Sequence, residues 1–104
     1  MFLKLASGGE LLLEDRHNFR AFKLVVEADR DRLGEVRRAT AGKAELPDAD
    51  TAWIFEEALR GWPGVEDDAA WQRNLSAMIE KARPYGWIDD KRKAIKAHVE
   101  WVVA

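Results

Sequence analysis

The strongest hydrophobic pattern in the chain lies between Asp68 and Arg83. The apolar residues that recur there at the spacing of one helix face are Trp71, Leu75, Met78, Ile79 and Ala82. Acidic residues open this stretch, where carboxylates complement the positive end of a helix, and Pro84 follows it, where proline stops a helix from continuing. The pattern therefore predicts an amphipathic helix over residues 68–83.

The C-terminal part of the chain alternates between apolar and polar residues, which is typical of a half-buried strand. The apolar members of this alternation are Ile95, Ala97, Val99 and Trp101. The charged residues 90–93 precede it and predict the turn of a hairpin with strands near residues 86–89 and 94–101. A helix is the alternative for residues 94–101, because the apolar positions also fit a 3.6-residue period.

The first residues of the chain predict a short N-terminal hairpin. Residues 2–6 and 11–13 are mainly apolar, and the Ser-Gly-Gly sequence at residues 7–9 between them is typical of a turn. An isolated hairpin is only marginally stable in water, so a further element must cover one of its faces.

The segment after this hairpin allows two interpretations. Apolar side chains within residues 15–39 fall largely on one side of a helix, which predicts a helix over that range. Gly34 costs a helix interior roughly 1 kcal/mol relative to alanine, so a kink or break is expected near residues 28–34. The alternative is a third strand at residues 19–28, because phenylalanine and valine favour strands.

The middle of the chain predicts one more helix. Residues 41–48 form a connection punctuated by glycine and proline, and a helix is expected over residues 51–60 with Asp50 as its N-terminal cap. The residues expected on its buried face are Ala52, Phe55, Ala58 and Leu59. A turn at residues 61–64 leads into the helix predicted over residues 68–83.

Together these elements predict a single α+β domain over residues 1–104, with three helices, an N-terminal β-hairpin and a C-terminal β-hairpin. A helix followed by a hairpin with a basic tip, over roughly residues 50–101, resembles a winged-helix module. This resemblance lies in the order of elements and includes no specific motif. An architecture of this kind does not fix an activity, because the same fold supports unrelated functions.

Composition and charge exclude several classes of protein. The 104 residues include no cysteine, which rules out disulfides, thiolate nucleophiles and cysteine-rich zinc sites. Seventeen Lys and Arg against nineteen Asp and Glu give a net charge of −2, which argues against non-specific polyanion binding by the whole molecule. No segment approaches the roughly 20 apolar residues of a membrane span, so we expect a cytoplasmic protein without membrane contact.

Candidate catalytic residues are few. His98 and Glu100 share one face of the predicted strand, as in the first half of a zinc-deaminase signature, but the cysteine pair of that signature is absent. His17 lies in a predicted turn or helix entry, and neither Ser7 nor Ser76 has the context of a catalytic serine or a phosphate-binding loop. The sequence therefore predicts no enzymatic activity, no cofactor and no metal site. A small-molecule-binding protein or an enzyme of unidentified chemistry is the second alternative to a binding module.

The expected function is that of a small interaction module acting through protein–protein contacts or self-association, for example as a homodimer. Aromatic and apolar side chains outside the predicted core support this expectation, because such residues often mark partner contacts. The candidate partner-binding residues are Trp53, Trp101, Val102 and Val103.

The first alternative is a winged-helix-type nucleic-acid-binding protein that reads its target through the helix at residues 68–83. Arginine and asparagine on the outer face of that helix suit base edges, and the basic hairpin tip suits phosphates. The candidate residues for this alternative are Arg73, Asn74, Lys81, Lys91, Arg92 and Lys93.

Overall fold

A computed structural model describes residues 1–103 of the chain, which fold into a mixed α+β structure with three helices and one curled seven-stranded sheet. The strands are β1 (Phe2–Leu5), β2 (Leu11–Glu14), β3 (Lys23–Val26), β4 (Ala44–Glu45), β5 (Thr51–Phe55), β6 (Ile88–Asp89) and β7 (Ala94–Trp101). The helices are α1 (Leu33–Ala39), α2 (Glu56–Arg60) and α3 (Ala69–Ala82), with single 3-10 turns at Arg30–Arg32 and Arg83–Tyr85.

The sheet is organised around β7. Its strands follow the order β2-β1-β3-β7-β5-β4, with β3 parallel and β5 antiparallel to β7. The short strand β6 pairs with the start of β7, where Ile95 lies between Ile54 of β5 and Ile88 of β6. Strands β3 and β6 therefore share one side of β7. Within the described residues, Lys96 and Ala97 have no strand partner on that side.

One face of the sheet carries the hydrophobic core. Alternation along the strands places Leu24 and Val26 of β3, and Ala97 and Val99 of β7, on this face, and all four are at most 2% exposed. Helix α3 contributes Trp71, Leu75, Met78 and Ile79 to the same core cluster. The burial of these four residues confirms the predicted apolar face of α3, while Ala82 is half-buried.

The helix predicted over residues 15–39 is wrong. The chain instead forms β3, whose Leu24 pairs with Leu3 of β1 and Val99 of β7, and a helix begins only at Leu33. The alternative strand at residues 19–28 was closer to the structure. Strand β3 pairs with β1 on one edge and with β7 on the other, which satisfies its backbone hydrogen-bonding groups and buries Leu24 and Val26 in the core. This stabilisation outweighs the helical spacing of the apolar residues.

The helix predicted over residues 51–60 is wrong in its first half. Residues 51–55 form β5, in which Ala52 and Ile54 are fully buried against the core, and α2 begins at Glu56. Asp50 does not cap a helix. The Asp48 carboxylate instead accepts hydrogen bonds from the Asp50 and Thr51 amides, at 2.8 and 2.9 Å, and so turns the chain into the strand.

The strand predicted at residues 94–101 is confirmed, so the helix alternative for that range is wrong. Antiparallel pairs β1–β2 and β6–β7 are present, but both belong to the larger sheet, which also contains two parallel pairs. The winged-helix-like arrangement is therefore not confirmed. No helix within residues 1–103 has the length and apolar character needed to cross a membrane.

Candidate functional site

A groove of about 760 Å³ opens at the place where β7 lacks a strand partner. It is lined by four segments: residues 19–22, residues 50–51, the C-terminal part of α3 with the turn that follows it, and residues 95–98 of β7. We call this feature the central groove. Its volume falls within the range of roughly 300–1,000 Å³ that is usual for ligand sites.

The floor of the central groove is apolar. Ile95 and Ala97 face the hydrophobic core, and Met78 reaches the same region from α3. Phe22, which is half-buried just before β3, completes this surface. Ile95, Ala97 and Met78 are at most 9% exposed, so the half-buried Phe19 and Phe22 supply apolar surface that solvent reaches.

Two aromatic side chains form one rim of the central groove. Tyr85 and Trp87 stack with their ring centroids 4.7 Å apart and their planes 20° from parallel, and they remain 69% and 46% exposed. Between them Gly86 adopts φ 78°, a left-handed conformation that favours glycine and turns the chain from α3 toward β6. The Trp87 carbonyl accepts a hydrogen bond from the Lys96 amide at 2.8 Å, which fixes this rim against β7.

The wall formed by residues 19–22 is anchored to the rest of the fold. The Trp71 Nε1 group donates to the Arg16 carbonyl at 2.8 Å, and the Phe19 ring packs 5.8 Å from the Trp71 ring. The Met1 amino group donates to two carbonyls of the same loop, at 2.6 and 3.1 Å. The wall is therefore held in place without a ligand.

The rim of the central groove is positively charged. Arg20, Lys81, Lys96 and His98 line it, and all four residues are exposed. Across residues 1–103, none of these four side chains takes part in an ion pair. Their donors are available to a ligand.

Asp50 is the carboxylate that lines the central groove, and a neighbouring arginine holds it. Arg30 donates to its Oδ1 atom at 2.8 Å. This hydrogen bond and the arginine charge lower the pKa of Asp50, so the carboxylate stays ionised and its charge is offset by Arg30. The groove therefore keeps an excess of positive charge.

His98 and Glu100 share a strand face, as predicted, but Lys23 donates to Glu100 at 2.7 Å and lowers its pKa. In the part of the chain that the structure describes, no three His, Cys, Asp or Glu residues cluster closely enough to hold a metal ion. The central groove thus offers an apolar surface, exposed aromatic rings and unpaired cations.

The predicted partner-binding residues lie outside the central groove. Trp53 is half-buried beneath the Arg92 guanidinium, 5.3 Å from the ring centroid, and lines a smaller groove of about 480 Å³. The Trp101 Nε1 group donates to the Ala49 carbonyl at 2.7 Å, which ties that side chain to its own fold. The exposed apolar members of the predicted set are Val102 and Val103, at 42% and 67%.

The residues predicted for nucleic-acid binding are spread over the molecule. Arg73 and Asn74 are exposed on α3, about 12 Å along the helix axis from Lys81 at ~1.5 Å per residue, and only Lys81 lines the central groove. In the turn before β7, Lys91 and Lys93 are exposed. Arg92 in the same turn is paired with Asp89 at 2.8 Å and with Glu45.

The sequence interpretation missed most of the central groove. The residues it did not single out are Arg20, Phe22, Tyr85, Trp87 and Lys96. One signal was available: Pro84-Tyr85-Gly86-Trp87 places two aromatic residues around a glycine in a turn, where no helical or strand periodicity buries them.

Comparison with known proteins gives no match: no family model, curated protein or solved structure matches the chain.

Proposed function

We propose that this chain is a non-catalytic binding module that captures a short apolar segment of a partner protein in the central groove. The observation that carries the proposal is the exposed, stacked pair Tyr85 and Trp87 beside an apolar floor. Binding energy at protein interfaces concentrates in aromatic side chains next to pockets that become fully desolvated.

The fixed shape of the groove supports this proposal. Its walls are held by the hydrogen bonds of Trp71 and Trp87, so little side-chain and loop ordering remains to be done on binding. Preorganisation improves affinity by reducing that cost. The groove is open to solvent along its rim, which suits a segment of a larger chain better than a ligand that must be enclosed.

Self-association through the C-terminal residues is a second candidate, and the exposure of Val102 and Val103 favours it. Trp101 contributes less than the sequence suggested, because its indole is bonded within its own chain. Nucleic-acid reading through α3 has weaker support, since the winged arrangement is not confirmed and Arg92 is already paired with two carboxylates.

A displayed library of random peptides tests the proposed function. We expect selection on the immobilised protein to enrich sequences with large apolar residues. Binding of the recovered peptides should fall at least tenfold in the Trp87→Ala variant, because a truncated hot-spot residue typically costs 2 kcal/mol or more.

Trp53→Ala is the matched control, since it removes an indole from the other groove. Its binding of the recovered peptides should stay within about twofold of the unsubstituted protein. Recovered peptides that depend on Trp53 and not on Trp87 would contradict the proposal and move the site to the smaller groove. Circular dichroism of both variants checks that they remain folded.

A further inference from the structure

We infer that the segment recognised in the central groove is acidic as well as apolar, with carboxylate side chains flanking a large apolar residue. This inference rests on the proposed function and specifies the chemistry of its ligand. It is carried by the excess of positive charge among the residues that line the groove.

The charge of the central groove is opposite in sign to that of the whole molecule. Arg20, Lys81 and Lys96 supply three positive charges and Asp50 supplies one negative charge, so the lining residues sum to +2 with His98 neutral. The entire chain carries −2. A concave, partly apolar site with a net excess of one sign of charge favours ligands of the opposite sign.

Basic side chains line the central groove from three different segments. Arg20 belongs to the wall before β3, Lys81 to α3, and Lys96 and His98 to β7. Along β7, Lys96 and His98 alternate with the apolar residues of the floor, so they line the groove from the opposite face of the strand. Carboxylates of the bound segment would meet these basic groups.

Lys81 differs in its ion pairing from Arg83 and Arg92. Arg83, close to Lys81 in sequence, is bound to Glu80 at 2.9 Å and to Asp90, and Arg92 is bound to two carboxylates. Lys81 has no such partner within residues 1–103. Other cations, such as Lys91 and Lys93, are also unpaired within residues 1–103, so what marks Lys81 is its position at the central groove.

A single-stranded nucleic acid would also use aromatic rings and cations, but the groove fits it less well. Bases stack on exposed ring faces, and Tyr85 and Trp87 already occupy one face of each other. The apolar floor matches an aliphatic or aromatic side chain better than a sugar or phosphate. Oligothymidylate is therefore the competing ligand in the test.

The experiment uses the peptides recovered from the displayed library. We expect Asp and Glu to outnumber Lys and Arg beside the apolar positions, and a synthetic recovered peptide to lose about fivefold in affinity when its acidic residues become amides. Lys81→Glu should weaken the acidic peptide about fivefold or more and should select peptides with fewer acidic residues. Lys91→Glu, the same charge change in the turn before β7, should leave both results unchanged.

The outcomes separate the two proposals. Peptides that depend on Trp87 but show no acidic preference and no effect of Lys81→Glu overturn the inference and leave the proposed function standing. If no recovered peptide depends on Trp87, both are overturned. Oligothymidylate that binds more tightly than the peptides, and competes with them, assigns the groove to single-stranded nucleic acid and also overturns the inference.

Discussion

Leu75 has no exposed surface and lies in the middle of the buried face of α3. Leu75→Ala should lower the free energy of unfolding by about 2–5 kcal/mol, because it removes buried methyl groups and leaves a cavity. Arg73→Ala, on the exposed side of the same helix, should change it by less than about 0.5 kcal/mol. Urea unfolding followed by tryptophan fluorescence measures both, and equal losses would show that the faces of α3 are assigned wrongly.

Individual side chains of the site differ in how far the sequence could indicate them. Tyr85 and Trp87 flank a glycine in a turn, which is a local signal of exposure, but the pattern predicted a strand near residues 86–89 and β6 begins only at Ile88. Lys96 alternates along a strand and looks like any solvent-facing lysine. Its position at the groove depends on the gap between β3 and β6 along β7, which no residue of β7 encodes.

At the scale of elements, α3 owes its start to a local signal. The Asp68 carboxylate accepts a hydrogen bond from the Trp71 amide at 3.0 Å and so satisfies a free donor of the first turn. Asp68→Ala should cost about 1 kcal/mol of stability, as is typical of a lost N-terminal cap. Asp67→Ala is the control, because Asp67 is exposed and lies outside the helix. A chemical denaturation series on both variants would contradict this role for Asp68 if they lost equal stability.

The elements that could be predicted are those fixed by nearby residues. Helix α3 has a 3.6-residue apolar spacing, an acidic start and a proline just past its end, so its position followed from the sequence. Strand β3 is held by residues far along the chain, since Lys23 pairs with His98. Strand β5 pairs with the same residue through Thr51. A four- or five-residue segment contains too few periods to show that such a distant partner exists.

At the scale of the whole molecule, the central groove results from the way the sheet is completed. Strand β7 is covered by β5 on one side and by two short strands, β3 and β6, on the other. The groove lies between those short strands, and α3 supplies its apolar wall. The fold class could be predicted from the chain. The groove could not, because residues 19–22 and 50–51, which line it, are distant in sequence from α3 and β7.

Binding of ligands in the central groove beside Trp87 is tested most directly by the indole N–H signals of the five tryptophans. A ¹⁵N-labelled sample titrated with a recovered peptide should show a shift of the Trp87 indole signal, assigned by its loss in Trp87→Phe. The Trp53 and Trp101 signals should stay in place, since one lies beneath Arg92 and the other is bonded to Ala49. A titration that moves the Trp53 or Trp101 signal and leaves that of Trp87 unchanged would contradict binding in the central groove.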